Sequence, residues 1–257
     1  METEPILEFA RNPWQVQVEG LLPALENLAH HFHTLPTRVV KDERDGGFLY
    51  ESDSFAACSE VNEVIDAADQ EFAVLSGVLK ITRGSDKRLR SGTVYRRKAA
   101  GEKDVYARLH DTVQAKGEIG MVTVSATDSQ GDIINLRSVP PRDALLFQLA
   151  RSDSAVAKAL RLFAMQDSQS WGGLYRIHEV VQADICSNAS FASEVLGSSS
   201  KIRRFKHSAN SVVNSKDGAR HGKELTDPPK DPMPFEEATI YVENILQLWL
   251  ASKMLQN

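Results

Sequence analysis

The amino-acid sequence predicts an α+β fold, in which an N-terminal antiparallel sheet with a long covering helix is followed by an all-α helical bundle. In the first half, short runs alternate apolar and polar residues, which is the period of a half-buried strand. In the second half, apolar residues recur every three or four positions, which is the period of an amphipathic helix. Val139-Pro140-Pro141 separates the halves, because consecutive prolines end a strand and favour a stiff connector. We therefore predict an α+β domain over residues 1–138 and a helical domain over residues 139–257.

The composition is typical of a globular protein. Of the 257 residues, 42% are hydrophobic and 25% are charged, which is enough to build one large core or two modest ones. No apolar run approaches the length of a membrane span, and the acidic start METEPILEF differs from a secretory signal. We therefore expect a cytoplasmic protein without a membrane partner. Two cysteines, Cys58 and Cys186, are too few for a disulfide framework or a cysteine zinc site.

The first elements follow from alternation and from turn residues. Residues 14–19 alternate apolar and polar side chains and predict an opening strand. The apolar stripe over residues 21–33 predicts a short helix with Pro23 in its first turn. Residues 37–41 and 48–51 predict a hairpin, because the Asp-Gly-Gly between them tolerates positive φ angles.

A long helix and a β-meander are expected next. Ser52 or Asp53 can cap a helix that continues to about Ile81 with one apolar face. The β-rich runs that follow predict three antiparallel strands, over residues 89–97, 104–110 and 118–125. The long helix would cover this sheet and complete the α+β half.

Five helices are expected in the second half. The first two are broken near Ser152-Asp153-Ser154, which can cap the second. The last begins near Pro234, which suits a first helical position, and its stripe of Ile245, Leu248 and Trp249 predicts packing against the third helix. The expected helices lie around residues 145–149, around 156–163, over 171–186, over 201–208 and from 234 to about 254.

A basic segment near residues 199–223 is the most distinctive feature of the sequence. It carries seven lysines and arginines and one acid, Asp217, so its net charge is +6 in a chain whose net charge is −5. Such an asymmetry indicates an anionic partner or a charged active site. Between the predicted helix over residues 201–208 and the last helix, an irregular basic loop of roughly two dozen residues is longer than most helix connections, so it is either disordered or functional, and its residue types favour function. The alternative is a solvated loop whose arginines pair with acids elsewhere in the chain.

The side chains of this segment suit phosphate chemistry. Guanidinium groups donate hydrogen bonds in a fixed fork, and imidazole can move a proton near pH 7. The candidate phosphate-binding residues are Arg203, Arg204, Lys206 and Asn210, and the candidate catalytic residues are His207, Arg220 and His221.

Other histidines give weaker signals. Glu26, His30 and His33 could share a helical face, but without a clear further ligand they do not predict a metal site. His178 lies within an apolar stripe, where it is either a hydrogen-bonded core residue or a group that faces the basic segment. The sequence lacks the glycine-rich motifs of dinucleotide and nucleoside-triphosphate sites, and we expect neither a metal nor another cofactor.

The second half resembles a group of uncharacterised bacterial proteins and is distantly similar to the helical HEPN superfamily, which includes defence and toxin ribonucleases. The resemblance covers residues 142–257 and rests on LYRIHEVVQADI, RFKHSAN, ARHG, PPKDPM and the closing ILQLWL. HEPN nucleases place an arginine four to six residues before a histidine. This sequence departs from that pattern: Arg203 and Arg204 precede His207 by only four and three positions, which leaves three and two residues between them, and Arg220 adjoins His221.

The resemblance implies a bacterial protein that binds RNA or a nucleotide phosphate and acts as a metal-independent ribonuclease in phage defence or a stress response. Arg204 and Arg220 would hold the phosphate, His207 or His221 would transfer the proton, and Asn210 would orient the attacking 2′-hydroxyl. HEPN folds usually build their groove across two copies, so the resemblance also implies a homodimer. The alternative is a non-catalytic sensor or interaction module whose N-terminal sheet recognises a protein partner.

Overall fold

The computed structural model describes residues 12–33, 36–42, 46–98, 102–107, 141–186, 189–211 and 227–256. The chain divides into two compact units, one formed by Met1–Ala73 with Lys87–Ala144 and the other by Val74–Asp86 with Leu145–Asn257. A single cut near Pro140 does not reproduce this division, because the end of the long helix belongs to the second unit.

The first unit contains a five-stranded antiparallel sheet with the strand order β2-β3-β1-β4-β5. The predicted opening strand and the predicted hairpin are confirmed. The predicted strand over residues 118–125 lies outside the described residues. The strands are β1 (Trp14–Glu19), β2 (Thr37–Lys41), β3 (Phe48–Ser52), β4 (Arg90–Arg97) and β5 (Lys103–Tyr106).

Helix α1 (Leu22–His31) confirms the predicted short helix, with Pro23 in its first turn. The prediction of a single helix starting at Ser52 or Asp53 is wrong. Ser52 instead caps a 3₁₀ turn, Asp53–Ala57, and helix α2 (Val61–Arg83) begins afterwards. The physical reason lies at the start of α2, where the Glu63 carboxylate accepts hydrogen bonds from the free backbone amides of residues 59 and 60 and so provides a new helix start. These amides lower the pKa of Glu63.

The first part of α2 covers one face of the sheet, as the sequence predicts. The Tyr50 hydroxyl donates to Glu71 at 2.6 Å, and the Tyr50 ring lies 4.9 Å from that of Phe72. The Ser91 hydroxyl donates to Asp69 at 2.5 Å. Apolar packing and hydrogen bonds therefore both hold α2 on this face.

The second unit is helical and includes the end of α2. The helices are α3 (Arg142–Ser152), α4 (Ser154–Ala164), α5 (Trp171–Ile185), α6 (Ala189–Leu196), α7 (Ser199–Asn210) and α8 (Phe235–Gln256), with a 3₁₀ turn at Gln166–Gln169. Among the described residues, the mixed α+β class is thus confirmed, with one sheet and eight α-helices.

Polar caps define the starts of these helices. The Asp153 carboxylate accepts from the amides of Ala155 and Val156 at 2.9 and 3.1 Å, so the predicted break before α4 is confirmed. Ser198 caps α7 by accepting from the Lys201 amide, and the helix therefore starts two residues before the predicted position. Helix α6 was not predicted.

Helices α2 and α4 approach each other closely at Gly77. A Cβ atom at this position would lie 2.2 Å from the backbone oxygen of Leu160. Because the clashing atom belongs to the backbone, a change of side-chain conformation cannot remove the clash. We expect Gly77→Ala to lower the free energy of unfolding by roughly 1–3 kcal/mol or more, because the helices must separate. Chemical denaturation measures this. Gly172→Ala in α5 is the matched control, since the nearest atom there is 3.9 Å away, and equal stability of the two variants would contradict the close approach.

Candidate functional site

Helix α7 presents four of the predicted site residues on one face. Its opposite face is buried through Phe205, Ser208 and Ala209. Another face, which is exposed or half-buried, carries side chains at positions i, i+3, i+4 and i+7, which lie side by side on a helix. These four residues are Arg203, Lys206, His207 and Asn210. The predicted helix over residues 201–208 is thus confirmed as residues 199–210, and it brings together four of the seven predicted site residues. Most of the expected irregular segment between this helix and α8, residues 212–226, lies outside the described residues.

These side chains line an open groove with a volume of about 660 Å³. We call it the α7 groove. Gln182 of α5 forms its other wall, and Ser199 and Ile202 complete the lining. Charge and residue type did not single out Gln182. The only signal was its position one turn after His178 on the same helix.

Arg203 is the cation of the groove with the greatest freedom to bind. Its side chain is exposed, and within the described part of the chain no carboxylate or carbonyl pairs with it. Lys206 is held in place, because its Nζ donates to Gln182 Oε1 at 2.6 Å. The amide oxygen is neutral, so this contact does not compensate the ammonium charge, and no carboxylate of the described residues pairs with Lys206. Within the described ranges, the groove therefore contains two positive charges without a carboxylate partner.

The imidazole of His207 has a defined orientation. Its Nε2 lies 2.7 Å from the backbone oxygen of Asp227, and a carbonyl can only accept a hydrogen bond. Nε2 therefore carries the proton, which leaves Nδ1 unprotonated in the neutral ring. Nδ1 is thus the nitrogen of His207 that can accept a proton.

Asn210 ends the row with an unsatisfied acceptor. Its Oδ1 is buried and has no hydrogen-bond partner among the described residues. Buried polar atoms in native structures usually have such partners, so this oxygen could accept from a ligand hydroxyl or amide.

Arg204, in contrast, is occupied by contacts outside the groove. Its Nη1 donates to both carboxylate oxygens of Glu237 at 2.7 and 2.9 Å, and its Nε lies 2.9 Å from the Asp231 carboxylate. Its Nε and Nη2 also donate to the backbone oxygens of Asp231 and Pro232 at 3.2 Å. The guanidinium therefore joins α7 to the start of α8. Arg220 and His221 lie outside the described residues.

His178 lies beneath α7, fully buried. Its ring is 5.0 Å from Phe205 of α7 and 6.1 Å from Tyr241 of α8, and neither ring nitrogen has a hydrogen-bond partner among the described residues. Burial, and then the charge of Lys206, lowers the pKa of His178 to about 4. The imidazole is therefore neutral at pH 7 and does not line the groove.

The histidines of α1 form a separate group in the first unit. His31 Nδ1 lies 2.7 Å from the buried Asp143 carboxylate, and His33 Nδ1 lies 2.9 Å from the backbone oxygen of His30. Among the residues that the structure describes, no three histidine, cysteine or acidic side chains could together hold a metal ion. No helix in the described ranges is long and apolar enough to cross a bilayer.

The chain matches no protein-family model, and it has no significant similarity to a curated protein or to a solved structure. The function is therefore inferred from the residues of the α7 groove and their contacts.

Proposed function

We propose that the α7 groove binds the phosphate groups of RNA or of a nucleotide. The observation that carries this proposal is the row of Arg203, Lys206 and His207 along the α7 groove, in a chain whose net charge is −5. Two neighbouring cations that have no carboxylate partner among the described residues of an acidic protein are electrostatically favourable for an anion and unfavourable for another cation.

Each side chain has a distinct part in this binding. Arg203 can donate two parallel hydrogen bonds to a phosphate, and Lys206 supplies a second positive charge from a fixed position. Asn210 Oδ1, which has no hydrogen-bond partner within the described ranges, can accept a hydrogen bond from a ribose hydroxyl. Because Arg204 is held by Glu237 and Asp231, the phosphate-binding role expected of it passes to Arg203.

A more specific proposal is that the α7 groove has a HEPN-type ribonuclease activity. His207 Nδ1 would take the proton of a ribose 2′-hydroxyl, and the 2′-oxygen would attack phosphorus and release the 5′-oxygen with a 2′,3′-cyclic phosphate. The 5′-oxygen leaves as a hydroxyl after it takes a proton from the His207 imidazolium that the first transfer formed, which returns His207 to its neutral state. The hydrogen bond from Nε2 to the Asp227 carbonyl supports this role, because it fixes the tautomer that a base at Nδ1 requires.

Fluorescence anisotropy with a labelled single-stranded RNA tests the binding. Replacing both cations, Arg203→Gln with Lys206→Gln, should weaken binding roughly tenfold or more, because each removes a charge-assisted hydrogen bond. The slope of log K against log salt should fall by about 1.4, since each phosphate contact in single strands contributes about 0.7.

The matched control is Lys158→Gln with Lys230→Gln, which removes two exposed cations of the same unit outside the groove. The control should retain the wild-type affinity and salt slope. Equal losses in both double variants would contradict a site in the α7 groove.

A non-catalytic interaction module is the second candidate function. The contacts of Arg204 favour it, because a guanidinium that holds α7 to α8 is structural rather than catalytic. The candidates differ in one measurement, the cleavage of RNA in the presence of a chelator. The ribonuclease should cleave and lose this activity in His207→Gln while still binding RNA, whereas the module should bind without cleavage.

A further inference from the structure

The first unit also carries a basic surface. It is formed by a different part of the sequence from the α7 groove. Residues 87–98 contain six lysines and arginines and no acid. Arg97 pairs with Glu51, and Lys98 pairs with Asp104. At the start of the stretch the cations are exposed, and Lys87, Arg88 and Arg90 have no carboxylate partner within the described part of the chain.

The packing of Leu89 determines where these cations point. Leu89 is buried, with its Cδ2 methyl beside Gly20, where a Cβ atom would lie only 2.8 Å away. Arg88 and Arg90, on either side of Leu89 in the chain, are exposed, whereas Leu89 is buried. Both guanidinium groups are therefore held towards solvent.

Two exposed leucines adjoin this basic segment. Arg90 is the cross-strand neighbour of Glu19, and Leu21 and Leu22 follow Glu19 after one residue, Gly20, where α1 begins. Leu21 is 44% exposed and Leu22 is 57% exposed. Large apolar side chains next to one another on a surface are less usual than single ones, and these two follow Gly20, which lies against Leu89, the residue between Arg88 and Arg90.

We propose that Leu21, Leu22, Lys87, Arg88 and Arg90 form a surface that binds an anionic membrane. The cations would contact lipid phosphates, and the leucines would enter the boundary between headgroups and acyl chains. RNA fits this surface less well, because phosphates and ribose give the leucines nothing apolar to contact. The expected absence of a membrane partner rested on the lack of a spanning segment, and binding to a membrane surface needs none.

This proposal is independent of the α7 groove and adds a second binding activity to the one proposed above. It predicts weak, reversible binding, because three charges and two leucines are comparable in strength to one lipid anchor. The bound fraction should fall as salt rises, since surface charges are screened.

Flotation of the full chain with vesicles tests the proposal. Vesicles of phosphatidylcholine and phosphatidylglycerol in a ratio of about 70:30 have a surface potential of about −30 mV. These vesicles should bind the protein, and pure phosphatidylcholine vesicles should not. Arg88→Gln with Arg90→Gln should reduce binding roughly 25-fold, because each cation near an anionic surface contributes about fivefold. Leu21→Ser with Leu22→Ser should reduce it several-fold.

Two controls separate this surface from general charge and apolarity. Lys158→Gln with Lys230→Gln removes two exposed cations elsewhere, and Leu255→Ser removes a leucine that is 89% exposed. Both controls should bind like the wild type. Equal binding to the two kinds of vesicle, or wild-type binding by the Arg88 and Arg90 variant, would overturn the proposal. Loss of RNA affinity in that variant, without any vesicle binding, would also overturn it and indicate a nucleic-acid surface.

Discussion

Replacing Trp249 by alanine is expected to lower the free energy of unfolding by about 3–5 kcal/mol. The indole is fully buried, and its Nε1 donates to Asp184 of α5 at 2.9 Å. The variant loses the apolar contacts of the ring and also leaves the Asp184 carboxylate without this donor. Helix α8 packs on α5 through this residue, as the sequence predicted, so the whole helical unit should become less stable.

A salt-bridge network surrounds the indole and adds to its effect. Lys253 donates to Asp153 at 2.8 Å and to Asp184 at 3.1 Å, and its Nζ lies 5.7 Å from the centroid of the Trp249 ring. Partial burial acts to raise the pKa of Asp153, but hydrogen bonds from Lys253 and from two backbone amides outweigh it and lower this pKa. The carboxylate that caps α4 is therefore tied to α8 beside Trp249.

Thermal unfolding checks the Trp249 prediction. A loss of this size should lower the melting temperature by about 10 °C or more. The control is Leu248→Ala, because Leu248 is adjacent in the chain but 52% exposed, although the sequence placed it on the buried stripe. Similar small decreases in the melting temperature of both variants would show that Trp249 does not stabilise the packing of α8 on α5.

Acid should destabilise the second unit through His178. The pKa of His178 is about 4 in the folded chain, and an unperturbed histidine has a pKa of 6.5. Between these values the unfolded chain binds the proton more readily, so stability is highest above pH 6.5 and falls as the pH drops towards 4. The total loss from this residue should be about 3 kcal/mol.

Replacing His178 by leucine, which has a similar volume, isolates this effect. The variant should lose the proton linkage. Its free energy of unfolding should therefore fall by about 3 kcal/mol less than that of the wild type between pH 6.5 and pH 4. His33→Leu is the control, since His33 is exposed and belongs to the other unit. Urea denaturation at several pH values gives the comparison. The prediction is wrong if His178→Leu and the wild type lose stability in parallel.

Periodicity predicted most of the fold because it reports which face of each element is buried. Strand β1 and helix α5 were found in this way from alternation and from a helical stripe. The start of α2 was misplaced because Ser52 and Glu63 both provide helix-start signals, and only the packing in three dimensions decides between them. Helix α6 was missed because its eight residues form too short a stripe to stand out.

The candidate site was only partly predictable, since charge and residue type do not reveal partners. The sequence placed Arg203 and Arg204 together as phosphate ligands, but their side chains point in different directions around α7. Glu237, which holds Arg204, is 33 residues away in the chain and gave no sign of this contact. Gln182, in the opposite wall of the groove, carries no charge and was equally hidden.

Titration of the isotopically labelled protein with a short single-stranded RNA, followed by NMR, tests the α7 groove most directly. The proposal predicts that the largest, saturable shift changes occur in residues 199–210 and at the side chain of Gln182, and that they disappear in Arg203→Gln with Lys206→Gln. Shift changes confined to other residues, or no saturable change at millimolar RNA, a concentration above typical non-specific binding constants of about 10⁻⁴–10⁻⁶ M, would contradict it.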